Sequence, residues 1–402
     1  MVWLAYNKVK ANKGSAGIDL VNMEEFDSKR SKCLYKLWNR LASGSYFPPA
    51  VKEVEIPKKD GKVRKLGIPT ISDRVAQLVV KDFLEPRLEK EFSPNSYGYR
   101  PNKNAHQALR SVRENCRKYD WVIDLDIKGF FDNINHEKLM LAVQKHVPER
   151  WVKMYIKRWL KMPVQKKTGE ITAKDGRGTP QGGVISPLLA NLFLHYVLDK
   201  WLEMFDATVK YVRYADDAIL HCSTKAQAER TLECLCERMK DCGLELHSEK
   251  TKLVYCRDYR RIGDFPTVKF DFLGYSFQPR TTMSKRSGKL FLGYDCAISI
   301  SSRKRIADKL EALNIVNASF KSIVGIAQFL NPYIRGWINY FGKFRLYELS
   351  GIFQLLKRRL VRWARQRYKR YRNNLNNAYK WIHRVRTQYP YLFYHWQLGF
   401  SH

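Results

Sequence analysis

Val209-Lys-Tyr-Val-Arg-Tyr214-Ala-Asp-Asp217-Ala-Ile-Leu220 sets two adjacent carboxylates between two apolar runs. From Lys210 to Cys222 this reads as two short strands around Ala215-Asp216, a hairpin with its acidic pair at the tip. Upstream, Trp121-Val-Ile-Asp-Leu-Asp-Ile127 alternates with a period of two. That alternation predicts a strand with Ile123, Leu125 and Ile127 on one face and Asp124 and Asp126 on the other. An aspartate pair in a turn is ordinary by itself, since solvated turns carry such pairs. Here apolar strands hold the tip, and a second strand ends in a carboxylate that can converge on it.

Three carboxylates so placed, Asp126, Asp216 and Asp217, suit two Mg²⁺ ions about 3.5–4 Å apart. One ion would activate an attacking 3′-hydroxyl and the other would neutralise a leaving pyrophosphate. The flanking segments fit a nucleotide site. Asp126-Ile-Lys-Gly-Phe-Phe131-Asp132 places a ring five residues beyond the first carboxylate. Thr179-Pro-Gln-Gly-Gly-Val-Ile-Ser-Pro187 is a glycine-rich loop whose backbone can approach a base pair or a sugar closely at Gly182 and Gly183. It feeds a helix expected over Ser186–Phe205, with Ser186 as N-cap and Pro187 in the first turn. A hairpin is expected over 51–69, turning at Lys58-Lys-Asp-Gly61. Helical periodicity marks 73–91, 105–119, 136–146, 150–161 and 225–242, the last stopping at Gly243. From Ile300 onward the chain reads as mainly helical.

Composition narrows the class of partner. The 402 residues carry 73 Lys and Arg against 39 Asp and Glu, a net charge of +34 that implies a polyanion, nucleic acid before all others. With 45% hydrophobic and 13% aromatic residues, the chain has the material for a real core and is not a disordered one. No apolar run approaches 18 residues and no secretory signal opens the chain, so no membrane association is expected and the protein is expected in the cytoplasm. The eight cysteines show no CxxC pair, which argues for reduced thiols. After Glu348 there is no acidic residue, and residues 351–402 hold twelve Lys and Arg among twelve aromatics. Ile352, Leu355, Leu356, Leu360 and Trp363 form the apolar stripe of one helix there, leaving Arg358, Arg362 and Arg365 outward. Such a surface suits a phosphate backbone with stacked bases better than it suits a merely solvated face.

The ordered series resembles a reverse transcriptase of the group II intron maturase family, of the compact type that lacks a DNA endonuclease domain. The residues that carry the likeness are Asn12–Asp19, Ile56-Pro-Lys-Lys-Asp-Gly-Lys-Val-Arg64-Lys-Leu-Gly-Ile-Pro69, Tyr97-Gly-Tyr-Arg-Pro101, Asp126–Asp132, Thr179–Pro187, Tyr214–Asp217, Leu244–Thr251 and Phe272-Leu-Gly274. Each alone is degenerate; the order is specific. Downstream, Gln328–Phe341 resembles the maturase thumb and Pro390–Trp396 the end of compact members.

The resemblance implies an α+β right-hand polymerase fold: fingers over 1–120, palm over 121–295 with an antiparallel sheet and a fingers-like insertion near 145–180, thumb over 296–348, and a basic helical end over 349–402. It implies RNA-directed DNA synthesis together with intron RNA binding that assists splicing and mobility. The implied partners are an RNA template, group II intron RNA, a DNA primer or target, and dNTPs; the implied cofactor is a pair of Mg²⁺ ions. By position, Asp126, Asp216 and Asp217 would be the metal ligands, and Lys58 and Arg64 would contact the triphosphate. Phe131 would exclude ribonucleotides, Gln181 would sit near the nascent base pair, and Lys250 would serve as general acid toward pyrophosphate. Read without the resemblance, Lys58 and Arg64 are hairpin charges, Phe131 is a core ring and Lys250 flanks a helix.

The chain begins close to the Asn12–Asp19 block, and no Cys/His-rich endonuclease follows its end, so cleavage of a second DNA strand is not expected. A splicing cofactor that no longer polymerises, and a domesticated relative in DNA repair or phage defence, are the alternatives. The intact carboxylate set, Phe131 and Gln181 speak against the first. Asp124, on the same face as Asp126, has no assigned role.

Overall fold

Alternation at Trp121–Leu125 and the apolar runs around Asp216 are realised as neighbouring strands of one antiparallel sheet in a computed structural model, which describes residues 1–57, 63–173, 176–283, 287–318 and 320–400. The chain divides into two units, one of residues 1–108 and 121–253, the other of 109–120 and 254–402.

The first unit holds strands β1 (Val51–Pro57), β2 (Val63–Ile68), β3 (Trp121–Leu125), β4 (Val164–Gln165), β5 (Ile171–Thr172), β6 (Lys210–Tyr214) and β7 (Asp217–Cys222). Strand β8 (Lys252–Tyr255) carries the chain into the second unit. One sheet runs β2-β1-β4-β5, with β1 antiparallel to β2 and parallel to β4. The expected 51–69 hairpin is therefore present, although its turn, Lys58 included, lies outside the described residues. In the other sheet β7 is flanked by β6 and β3, antiparallel to both. Ala218–Cys222 of β7 is buried throughout, as a central strand covered on both faces must be.

The helix Ile71–Leu88 is the axis of the first unit's helical layer, burying Ile71, Val75, Ala76, Val80 and Leu84. Thr70 caps it, its hydroxyl accepting the Asp73 N–H at 3.2 Å. Asp73 itself is buried and accepts from Tyr46 Oη (2.8 Å), Trp159 Nε1 (2.8 Å) and Gln77 Nε2 (2.9 Å). Burial pushes its carboxyl up, and these three donors pull against that shift. Trp159 comes from the helix Arg150–Leu160, so one satisfied carboxylate ties two helices and the Tyr46 loop together.

The single helix expected over Ser186–Phe205 is instead two α-helical pieces, Ser186–Leu194 and Lys200–Phe205, joined by a π turn at His195–Asp199. Ile185, not Ser186, is the N-cap residue, and it offers no side-chain cap. The helix expected to reach residue 119 stops at Cys116.

The second unit holds β9 (Phe270–Phe272), β10 (Tyr275–Met283) and β11 (Leu290–Ile298), ordered β11-β10-β9 and antiparallel. Helices follow over Ile300–Ala312, Ile323–Phe341, Ser350–Arg367 and Leu375–Gln388. Their shared core contains the stripe read from sequence: Ile352, Leu356, Leu360 and Trp363 are buried, with Leu355 partly so. Arg358 and Arg362 face solvent, whereas Arg365 turns back to donate to the Arg372 carbonyl at 2.9 and 3.1 Å. No helix of the described residues is long and apolar enough to cross a membrane.

Leu356, with no exposed surface, is a sensitive reporter of this core. Leu356→Ala is expected to cost about 2–5 kcal/mol, read as a lowered midpoint in denaturant titration, while Arg358→Ala leaves the midpoint unchanged.

Candidate active site

Register brings the acidic residues together. Leu125 of β3 is level with Ala218 of β7, so the next residues outward, Asp126 and Asp217, emerge at the same end of the sheet. Tyr214 pairs with Asp217, which leaves Ala215-Asp216 as a two-residue turn. Ala215 adopts φ +59°, a left-handed conformation that usually falls to glycine at the first position of such a turn.

The turn is held from below. Arg213 is fully buried; its Nε and Nη2 donate to Asp199 Oδ1 (2.8 Å) and Oδ2 (2.5 Å), and its Nη1 donates to Asn191 Oδ1 (2.9 Å) and the Ala215 carbonyl (3.1 Å). Burial opposes the charge on Asp199, but Arg213 outweighs it and keeps the carboxyl below its usual range. The π turn at His195–Asp199 supplies Asp199, and the straight helix before it supplies Asn191. Asn191 Nδ2 in turn donates to the Gly98 carbonyl at 2.8 Å. Gly98 lies against the hairpin tip so closely that a Cβ there would meet the Ala215 nitrogen at 2.3 Å. The Tyr97 N–H and the Arg213 carbonyl complete that contact at 2.8 Å.

Asp126 is fixed from the other side by the 244–251 segment. The His247 N–H donates to the Asp126 carbonyl at 2.8 Å, and the Asp126 N–H to Thr251 Oγ1 at 3.3 Å. The same segment brings Lys250 Nζ to 3.6 Å from Asp126 Oδ2, with both side chains partly open to solvent.

The electrostatics follow from the crowding. Surrounding protein raises the Asp216 carboxyl, Arg64 lowers it and Asp126 raises it further. Asp217 shows its side chain to solvent along one edge, yet loss of water around the carboxyl pushes it up to about 7, with the charges of Asp216 and Asp126 adding to the shift. Tyr99, at φ +56°, stands beside the pair, its phenol raised by partial burial and then by Asp216.

The glycine-rich loop sits against the β1–β2 hairpin. Gln181 Oε1 accepts from Arg64 Nε at 2.9 Å, Gln181 Nε2 donates weakly to Asp132 Oδ2 at 3.4 Å, and the Gln181 carbonyl accepts the Gly67 N–H at 2.7 Å. At Gly182, with φ +115°, a Cβ would lie 2.6 Å from the Gly67 carbonyl oxygen, so only glycine permits the approach. Gln77, oriented by Asp73, accepts the Ile185 N–H at 3.2 Å and anchors the far end of the loop. Phe131 is buried to 8% exposure in the short helix Phe130–Asn133, and its carbonyl accepts the Thr179 N–H at 2.8 Å. Arg64, Asp126, Phe131, Gln181, Asp216, Asp217 and Lys250 thus all belong to the first unit; Lys58 lies outside the described residues.

Among the described residues, no three His, Cys, Asp or Glu side chains are gathered tightly enough to hold a metal ion by themselves. The charges of Asp126 and Asp216 raise the Asp217 carboxyl, and the three do not form a closed cage.

Sequence reading gave no role to Arg213, Asp199 or Asn191, and quoted Gly98 and Tyr99 within the Tyr97–Pro101 block without assigning them one. A signal for the first two exists: an arginine inside Tyr211-Val-Arg-Tyr214 and an aspartate after Tyr196-Val-Leu198 are charges in apolar runs, and a charge buried there requires a partner. Arg213→Met, which strands Asp199, is expected to destabilise the first unit by about 3–5 kcal/mol in denaturant titration. The double variant Arg213→Met/Asp199→Leu recovers part of that loss.

Comparison with known proteins agrees with this geometry. Residues 56–277 match the family described as reverse transcriptase (RNA-dependent DNA polymerase), and residues 303–381 match the group II intron maturase-specific domain. Protein YkfC of Escherichia coli is 31% identical over 279 residues, covering 60% of this chain and 73% of its own length. The group II intron-encoded protein LtrA of Lactococcus lactis is 34% identical over 201 residues, half of this chain and 33% of LtrA. A 91 kDa protein of the cob intron of Schizosaccharomyces pombe is 30% identical over 274 residues, 64% of this chain and again 33% of the relative. The chain thus spans about a third of the length of the two intron-encoded relatives. The family carries the right-hand polymerase fold, generally uses a divalent metal and works on RNA. With the acidic hairpin, the glycine-rich loop and the maturase-specific segment in one chain, this protein belongs to the reverse transcriptases, RNA-directed DNA polymerases, of the group II intron maturase type.

Proposed function

We propose that the first unit extends a DNA primer on an RNA template by two-metal nucleotidyl transfer at Asp126, Asp216 and Asp217, and that the chain binds intron RNA through its basic helical end. The observation that carries this reading is the β3–β7 register, which sends Asp126 and Asp217 to one sheet end beside Asp216. Hard carboxylate oxygens suit Mg²⁺, an ion that keeps several waters and is bound by one or two carboxylates plus substrate phosphates. That preference agrees with three aspartates that are near one another but not gathered into a cage. When bound, two such ions would lower the pKa of the primer 3′-hydroxyl and neutralise charge on the pyrophosphate.

The chain's own residues supply position and proton transfer. The primer 3′-hydroxyl gives up its proton to solvent and its oxygen attacks the α-phosphorus of the dNTP; that bond forms as the bond from the α-phosphorus to the β-phosphate oxygen breaks, and pyrophosphate leaves. Arg64, now engaged by Gln181 Oε1, exchanges that partner for the triphosphate, and Lys58, which lies outside the described residues, assists it. Freed of Arg64, Gln181 lies along the nascent base pair on a loop whose glycines admit it. Phe131 packs beneath the sugar, where its ring leaves no room for a 2′-hydroxyl. Lys250 delivers a proton to the departing pyrophosphate, Asp126 holding its ammonium meanwhile. In this reading fingers span 1–120, palm 121–295, thumb 296–348 and the RNA-binding end 349–402.

Primer extension on an RNA template with dNTPs and Mg²⁺ tests the assignment. Asp216→Ala is expected to abolish incorporation while RNA affinity stays within about twofold, since the metal site contributes little to backbone binding. Equal loss of both would overturn the division of labour. Chelation of divalent ions should stop extension reversibly. Phe131→Ala should let ribonucleotides in, narrowing discrimination by at least about tenfold as the steric barrier goes.

A further inference from the structure

The helix Arg150–Leu160 buries Val152, Tyr155, Ile156 and Trp159 on one face and bears no acidic residue on the other. Arg150, Lys153, Lys157 and, just past its end, Lys161 are spaced by three, four and four residues, which keeps them on a single stripe about 16 Å long. The carboxylate that precedes the helix, Glu149, is taken by Arg87 at 2.5 Å. Among the described residues, none of the four cations on the stripe lies within ion-pair distance of a carboxylate.

Beside the stripe runs a groove of about 700 Å³ with an apolar floor of Phe47, Pro48, Met154, Met162 and Pro163. Phe47 is 70% exposed, an unusual state for a ring that is nonetheless fixed in place. Arg158 fixes it: the guanidinium lies 3.9 Å from the Phe47 ring centre and donates through Nη1 to the Gly44 (2.7 Å) and Tyr46 (2.6 Å) carbonyls. Tyr155 Oη adds a bond to the Leu41 carbonyl at 2.9 Å, so the loop carrying Phe47 is clamped to the basic helix. A preorganised aromatic face beside a phosphate-spaced row of cations is the combination that holds an unstacked base while tracking its backbone. None of these residues is among those that build the acidic site.

We propose that this groove binds a short single-stranded stretch of RNA, with one base stacked on Phe47 and successive phosphates along Arg150, Lys153, Lys157 and Lys161. A duplex fits less well, because its bases are already stacked and would leave the Phe47 ring exposed. The proposal rests on the reading of the chain as an RNA-dependent polymerase, which supplies the polyanion.

The test uses the full chain with its polymerase cleft filled by an excess of RNA template annealed to DNA primer. A fluorescein-labelled, unstructured RNA 12-mer is then titrated by anisotropy at several salt concentrations. Phe47→Ala and the volume-keeping Phe47→Leu are each expected to weaken 12-mer binding about five- to tenfold, as loss of one stacking platform does. Lys153→Gln/Lys157→Gln/Lys161→Gln should weaken it further and reduce the logarithmic salt slope by about two, for three lost phosphate contacts on a single strand. Primer extension from the pre-bound duplex should remain at the wild-type rate in all three. The inference is overturned if these variants bind the 12-mer as the wild type does, or if an RNA hairpin or a DNA 12-mer binds the groove more tightly than the RNA 12-mer. Failure of the polymerase reading is separate: it would appear as a wild-type protein that extends no primer.

Discussion

A guanidinium buried in a protein needs partners for its charge and its N–H groups, and Arg213 finds them in four hydrogen bonds that join the parts making the site. Two of its donors grip Asp199, one reaches Asn191 and the Ala215 carbonyl, and Asn191 passes the connection on to Gly98. The buried pair therefore sets the height of the acidic turn, the position of the Tyr97–Arg100 loop and the need for a π turn in the helix that carries Asp199. Such a pair contributes little net stability over an apolar substitute; its effect is to leave one arrangement in which all its groups are satisfied.

Above that base the site concentrates negative charge in a chain of strongly positive balance. Asp217 is pushed up to about 7 first by loss of water around its carboxyl and then by the charges of Asp216 and Asp126 beside it. Arg64 lowers the Asp216 carboxyl from the β1–β2 hairpin, and Lys250, on the segment bonded to the Asp126 main chain, lies 3.6 Å from the Asp126 carboxylate. On the proposed reading, a centre so arranged would draw divalent ions, and a chain of net charge +34 would draw the nucleic acid on which they act. Glycine is used where backbones must touch: at Gly98 and Gly182 any side chain would collide with main-chain atoms of a neighbouring loop.

Much of this was legible in the chain. Period-two alternation revealed the strand that ends just before Asp126, apolar flanks revealed the Asp216–Asp217 hairpin, and helical periodicity found the buried stripe from Ile352 to Trp363. Those signals are local, because burial of one face imposes a spacing that the sequence must display. The helix over Ser186–Phe205 shows where local reasoning stops. Its pattern reads as one helix, and the π turn within it sets Asp199 against an arginine fourteen residues later. Ser186 likewise looks like a cap by type, but its hydroxyl is directed toward the Gly183 turn.

The sequence by itself determined the α+β class, the acidic pair between apolar runs, the glycine-rich loop and the strongly positive charge, since composition and spacing are properties of the chain before it folds. Only the tertiary structure decided that Asp126 and Asp217 share a sheet end, that Gln181 bridges Arg64 toward Asp132, and that Phe47 stands clamped beside four cations. It also decided that residues 109–120 join a unit made chiefly of residues beyond 253. Each of these depends on contacts between distant segments, and their partners are set by which packing buries apolar faces and pairs polar groups together, a condition no single segment can state.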